Sequence, residues 1–381
     1  MKIGIATPSL GFQGGLERYA HGFAASLRAL GHELTLLHGP TVARDPEGFA
    51  AGFDRVGASN DRALAQDQDV VYVQRARSAD ELEPFGDVPV VVAAHDHDHT
   101  CVRSHRYLPI DRSPCHRTPG VGCVLRGCAV VRRREGFPIA IADPLALARE
   151  TRRLSQRAAF VACSRYVGDR LVDAGVKPSR VHVLHPVLPA ADAPLRPRPR
   201  TPRLLVMGQL LRGKGFDLAI DALASLPTEH VLDVVGDGPS RAELEAHARR
   251  VAPGRVRFLG YLPPERVHEA YDAASVVIVP SRWPEPFGLI GVEAMQRGRP
   301  VVGVAHGGIP EWLDPSESGV LVPPLDARAI AEGVRLLVAD ASAGERALAS
   351  AARFDHRRAA EQLAGILERA AGRLAPSALV A

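Results

Sequence analysis

The sequence predicts an α/β protein of two doubly wound lobes, and three observations carry that expectation. Short β-branched runs without polar alternation recur along the chain between stretches of helical spacing, the pattern of strands covered on both faces in a parallel sheet. A proline-dense stretch from Pro186 to Pro202 interrupts the alternation once, after which it starts again. The 381 residues also exceed the ~150 typical of one domain.

In chain order, strands are expected at 2–6 (KIGIA), 33–37, 70–73, 89–94, 159–162 and 181–184. Between the first two, Leu16, Tyr19, Ala20, Phe23, Leu27 and Leu30 fall at helical spacing and Gly31 follows as a stop signal, giving a βαβ unit. The segment PVLPAADAPLRPRPRTP resists helix and central strand and suits a stiff extended connector. Beyond it, strands are expected at 203–207, 231–235, 256–259, 276–279, 300–304 and 319–322. The resulting domains are 1–187, a linker at 188–202, 203–356, and a helical tail at 357–381 suited to packing back on the first lobe. Ligands of such folds lie outside the carboxyl ends of the strands, here in a cleft between lobes.

Composition excludes several classes of function. A net charge of +4 is too small a bias for a dedicated nucleic-acid binder, and no basic stretch alternates with aromatics. Glycine and proline number 35 and 31 while 46% of residues are hydrophobic, which excludes collagen and low-complexity chains. No apolar run reaches the ~18 residues a spanning helix needs, so a cytoplasmic protein is expected. Only Lys2, Lys177 and Lys214 are lysines among 47 basic residues. A lysine inside a motif therefore stands out.

Three segments carry chemistry. Ser9–Glu17, SLGFQGGLE, is a glycine-rich turn opening onto the first helix, where backbone N–H groups can approach an anion; a loop that merely needs positive φ is the alternative. It lacks G-x-G-x-x-G, which disfavours a nicotinamide or flavin enzyme. The second lobe's first strand runs into GQLLRGKG, residues 208–215, two cations between glycines and a fit to a diphosphate. Charges on such a loop should contribute little to folded stability. The third segment is PSRWPEPFGLIGVEAM, residues 280–295. Its prolines fix a rigid loop, Gly288 starts a helix whose N–H groups can meet a phosphate, and Glu285 and Glu293 lie too far apart for a paired acid/base dyad. Hydroxyl recognition by ionised carboxylates suits them better; a capping Glu285 and a solvated Glu293 are the alternative.

Together with VVGDGPS, GGLERYA and Gly307-Gly308-Ile309-Pro310-Glu311, these segments resemble a retaining glycosyltransferase of family 4, across nearly the whole chain and in the right order. The resemblance implies the GT-B fold, two Rossmann-like lobes, and transfer of a hexose from a nucleotide-diphosphate sugar to a small-molecule, glycan or lipid-linked acceptor, with no cofactor required for the chemistry. It implies that Glu293 holds the ribose, Glu285 the sugar hydroxyls, and Lys214 the diphosphate. It further implies that Phe287, Gly288 and Leu289 offer backbone groups to the distal phosphate or sugar, while Gly14 and Gly15 meet the donor from the other lobe. His95 would stand near the reacting carbon as a positioning group. Gln209 departs from the family, which carries an arginine there, and Arg212 is the candidate substitute; His185-Pro186 departs from the usual Asn-Gly. A nucleotide-sugar epimerase or phosphorylase, or a silent nucleotide-sugar-binding partner protein, are the rival readings.

Two further features stand beside those motifs. Arg132-Arg133-Arg134 could face anionic lipid at a peripheral membrane site, as the resemblance to lipid-modifying relatives implies, or be a solvated run. Cys101, Cys115, Cys123 and Cys128 fall within 28 residues, and Cys163 is the only other cysteine. A structural zinc with His105 or His116 as reserve ligands is one reading and reduced thiols in a loop the other.

Overall fold

The KIGIA run begins a nine-residue strand, β1 (Lys2–Leu10), in a computed structural model that describes residues 1–110, 113–132, 139–189, 193–199 and 202–374. Ile3 and Ile5 of β1 are fully buried. Strands β2 (Glu33–Val42), β3 (Arg55–Ala58), β4 (Val70–Val73) and β5 (Val90–Ala94) follow. A short hairpin, β6 (Val130–Arg132) and β7 (Ile139–Ile141), precedes β8 (Ala158–Ala162) and β9 (Val181–Val183). The main sheet runs β3-β2-β1-β4-β5-β8-β9 and every neighbouring pair is parallel, whereas β6 and β7 pair antiparallel outside it. The helix Gly15–Ala29 buries Tyr19, Ala20, Phe23, Ala24 and Leu27. Leu30, expected on that stripe, is instead exposed at the helix end.

The second sheet comprises β10 (Arg203–Met207), β11 (Val231–Val235), β12 (Val256–Gly260), β13 (Val276–Val279), β14 (Val301–Val304) and β15 (Gly319–Val322). All pairs are parallel in the order β12-β11-β10-β13-β14-β15. Alternate residues of four strands, such as Leu204, Leu232, Ile278 and Val302, share one core with Leu223 of the helix Phe216–Ala224 and Val334 of the helix Ala327–Ala339. Each such side chain contributes roughly 1.5–3 kcal/mol when fully buried.

The chain divides into two compact units, Met1–Pro189 with Asp355–Ala381, and Ala190–Phe354. The proline-rich segment is fastened to the second unit by arginines that take its carbonyls. Arg297 donates to Ala193 and Pro194 while its guanidinium pairs with the buried Asp272 at 2.7 Å. Arg299 donates to Arg196. Arg198, within the segment, reaches the carbonyls of Leu337 and Asp340. Asp355 caps the helix His356–Ala370, which buries Leu363, Ile366 and Leu367 and belongs to the first unit. There His356 meets Ser26 at 2.9 Å and the Val187 carbonyl at 2.8 Å.

Candidate functional site

In the second sheet the strand order departs in opposite directions from the adjacent pair β10 and β13, so the chain leaves them toward opposite edges of the sheet and a crevice forms at their carboxyl ends. Those loops are 208–215 and 280–288, two of the segments that carry chemistry in the sequence. They lie against each other because the Gly213 carbonyl accepts the N–H groups of Arg282 at 2.8 Å and Trp283 at 3.2 Å. A Cβ at position 213 would stand 2.1 Å from the Trp283 ring, so only glycine permits this approach.

The approach delivers Lys214 to Glu285. The ammonium donates to both carboxylate oxygens, at 2.8 and 3.0 Å, and lies 5.4 Å from the centroid of the Trp283 ring. Ser281 also donates to this carboxylate, as does Trp283 Nε1 at 3.2 Å. Burial alone would push the Glu285 carboxyl up, but the Lys214 ammonium and the Ser281 and Trp283 donors outweigh it and hold the group below its ordinary value. The lysine side chain is 25% exposed and the glutamate 6%. The lysine side chain is thus partly accessible while the pair holds its ammonium at a fixed place. This corrects two expectations. Lys214 is half-buried and ion-paired rather than a solvated loop charge, and Glu285 is a buried acceptor with no capping role. Arg212 does conform, being exposed with no ion pair among the described residues; Gln209 is exposed too.

Gly288 takes a left-handed conformation, φ +94, and caps the helix Leu289–Gln296. The carbonyl of the buried Phe287 is already taken by Trp312 Nε1 at 2.6 Å, which leaves N–H groups as what this turn can offer a ligand. Glu293, in the helix, accepts from the hydroxyl of buried Tyr271 at 2.8 Å. Its carboxylate is half-buried and held in place rather than loose on a wet face.

The first unit has its own crevice between β1 and β4. The loop after β1 carries Gly14 and Gly15, and the buried Glu17 carboxylate turns back to accept the Gly14 N–H at 2.9 Å and the Ser9 hydroxyl at 3.4 Å. A Cβ at Gly14 or Gly15 would meet nothing within 4 Å. The fold of this unit therefore gives no reason for either glycine. His95, just past β5, pairs through Nε2 with Oε1 of buried Gln74 at 3.0 Å and packs edge-on to Tyr19. Of the following residues, Asp96 is half-buried while His97, Asp98 and His99 are buried, and Asp98 is bound by Arg75 and Arg77.

Desolvation lowers His95, His99 and His105 to about 4. Their folded pKa values lie below the ordinary 6.5, so unfolding takes up protons between those limits and these rings cost stability as pH falls. Asp96, raised by burial and by Asp98, acts in the opposite sense but is one group against three. The urea midpoint should therefore drop on acidification from about pH 6.5 to about pH 4. A flat profile would show that the rings are hydrated in solution.

Sequence reasoning named the segments but not every partner. Tyr271, within the helix Val267–Ala273, and Gln74, just past β4, carried no motif signal. Ser281 and Trp283 lay inside the quoted segment without a role. The five cysteines are thiols, Cys128 buried and raised to about 11 by desolvation and then by Cys123, Cys101 and Cys115. Among the described residues no three His, Cys, Asp or Glu side chains are placed to hold a metal. Arg133 and Arg134 lie outside the described residues, and no helix among those described is long and apolar enough to cross a membrane.

Two units, each a parallel sheet with glycine-lined loops at its switch point, define the GT-B class of α/β proteins. Residues 13–190 match the family model described as Glycosyltransferase Family 4, and residues 190–354 that of Glycosyl transferases group 1. The chain belongs to the family 4 glycosyltransferases. It is 27% identical over 361 residues to the glycogen synthase of Mycobacterium tuberculosis strain H37Rv, covering 87% of this chain and 84% of that protein. It is 35% identical over 184 residues to the D-inositol 3-phosphate glycosyltransferase of Corynebacterium jeikeium, covering 44% of each. Among solved structures, Anabaena HepE in complex with UDP-glucose superposes with a TM-score of 0.71 at 20% identity, over 97% of this chain and all of that one. That likeness shows the fold.

Proposed function

We propose that this glycosyltransferase moves a hexose from a nucleotide-diphosphate sugar to its acceptor with retention at the anomeric carbon. The observation that carries the reading is the Lys214–Glu285 pair at the β10/β13 switch point. An ammonium fixed by a buried carboxylate is preorganised to neutralise charge developing on a leaving diphosphate. Glu285 accepts hydrogen bonds from the sugar hydroxyls, Glu293, oriented by Tyr271, accepts those of the ribose, and Arg212 adds a second cation where the family arginine is replaced by Gln209. N–H groups at Phe287, Gly288 and Leu289 meet the distal phosphate or sugar. His95, neutral at pH 7, orients rather than donates a proton. The UDP-glucose complex of the HepE neighbour supports a nucleotide-sugar donor.

The test has two readouts. Nucleoside diphosphates and their sugars are screened by thermal shift, where a ligand at about 100 times its Kd stabilises by about 2.7 kcal/mol, and the product's anomeric configuration is read by NMR. An inverted product sinks the retaining assignment. Turnover of donor without acceptor would favour the epimerase or phosphorylase rival. Glu293→Gln should weaken the free nucleoside diphosphate and the donor alike, whereas Glu285→Gln should spare the former and lower turnover; identical profiles would refute the division of roles.

Gly14 and Gly15 give a separate check. Alanine at either position should leave Tm unchanged, because the space around both is open. If the donor needs that space, turnover drops by about tenfold or more. Full activity in both variants would remove the loop from the site.

A further inference from the structure

The loop after β14, residues 305–312, carries no group assigned to the nucleotide sugar, yet the fold sets it against the 280–288 loop, which does. β14 pairs with β13 in parallel, from Val277 opposite Val301 to Val279 opposite Gly303, so the loops after both strands leave the same edge of the sheet side by side. Gly307 and Gly308 permit the contact. A Cβ on either would stand 2.4 Å from a backbone oxygen, that of Glu285 or of Pro286. Ile309, Trp312 and Leu313 are buried and anchor the loop.

Three carbonyls of the 280–288 loop are consumed in this contact. The Ser281 carbonyl meets Nε2 of buried His306 at 2.8 Å, the Glu285 carbonyl accepts the Gly308 N–H at 2.8 Å, and the Phe287 carbonyl accepts the Trp312 indole N–H at 2.6 Å. A carbonyl only accepts, so His306 carries a proton on Nε2. In a trans peptide the C=O and the N–H that follows it point in opposite directions. Holding the one therefore aims the other. In the peptide between Ser281 and Arg282 the N–H is taken by the Gly213 carbonyl at 2.8 Å, so this peptide ties the loops after β10 and β14 together, and the Ser281 hydroxyl on it donates to Glu285. In the peptide between Phe287 and Gly288 the N–H has no partner among the described residues.

Granted the nucleotide-sugar donor proposed for this chain, we infer that His306 and Trp312 are positioning residues for it. His306 fixes Ser281 and, through it, the Glu285 carboxylate that takes the sugar hydroxyls. Trp312 turns the Phe287 carbonyl away, so that the Gly288 N–H faces the distal phosphate. Both side chains are buried and act through the loop, not on the ligand. A released carbonyl oxygen would repel the phosphate that the N–H attracts.

UDP, GDP and ADP are titrated calorimetrically into wild type, Trp312→Phe, His306→Phe and His306→Gln, beside their nucleosides and the conjugates UDP-glucose, UDP-galactose, GDP-mannose and ADP-glucose. Circular dichroism checks that each protein is folded at the working temperature. Trp312→Phe keeps an aromatic filling but lacks the N–H, so it should weaken the diphosphate that wild type binds by about tenfold and leave the nucleoside unchanged. His306→Phe should spare that diphosphate and weaken its sugar conjugate by about tenfold; His306→Gln, which can still donate to Ser281, should restore the conjugate. Packing loss alone would lower Tm in the variants without separating nucleoside from diphosphate or diphosphate from conjugate. Wild type that binds a diphosphate while the variants change all its ligands alike, or none, overturns the inference and leaves the nucleotide-sugar reading standing. Wild type that binds none of the three diphosphates sinks that reading and the two roles with it. If Trp312→Phe does not fold, the His306 pair decides, and equal conjugate affinity in His306→Phe and His306→Gln is the refuting result.

Discussion

Lys214→Ala should lower turnover by about a hundredfold or more, the scale of losing one preorganised charge at a transition state. It should also destabilise the second unit by about 2–3 kcal/mol, because Glu285 is left buried with only Ser281 and Trp283 as donors. The two effects can be separated. In Lys214→Ala/Glu285→Gln the buried group is a neutral amide that no longer needs a cation. Stability should then recover in urea denaturation while turnover stays low. Turnover within about threefold of wild type in the single variant would make the pair a structural element only.

Gly213→Ala should cost the second unit stability and the site its geometry together. The added Cβ would lie 2.1 Å from the ring of Trp283, and that ring donates to Glu285 and lies beside Lys214. Moving it costs about 1–3 kcal/mol of strain and disturbs the pair, so Tm should fall by several degrees and turnover with it. Trp283→Leu in the Gly213→Ala background removes the clash and should restore Tm but not activity. An unchanged Tm in Gly213→Ala would mean the two loops are not packed together in solution.

How far the sequence was legible depended on whether a residue's environment was local. The runs at 70–73, 231–235 and 276–279 became strands at those bounds, since short valine-rich runs bounded by turn residues have few other ways to be buried on two faces. Arg55–Ala58 was missed because an edge strand with one face wet and a charge at its start has no such run. The hairpin escaped notice for a related reason, its strands being three residues each. At the site, glycines and prolines marked both loops. The bond from Lys214 to Glu285, 71 positions apart, exists only because β10 and β13 are neighbours and the loops after them meet, and that from Tyr271 to Glu293, 22 apart, because it joins the helices Val267–Ala273 and Leu289–Gln296 on either side of β13. Strand order is a tertiary fact, and no local pattern in the sequence encodes it.

The first unit is written in two pieces of chain, with the whole of the second unit between them. A ribosome working from the amino end therefore releases residues 1–189 long before the helix His356–Ala370 exists, and meanwhile the surface that will receive Leu363, Ile366 and Leu367 is uncovered. The second unit, contiguous in sequence, has all its parts available first. Synthesis thus imposes an order in which the early-made unit is the last to be completed. Damage near the carboxyl end, such as a premature stop before Asp355, would fall on the earliest segment made, while the later-made unit retains all of its own residues.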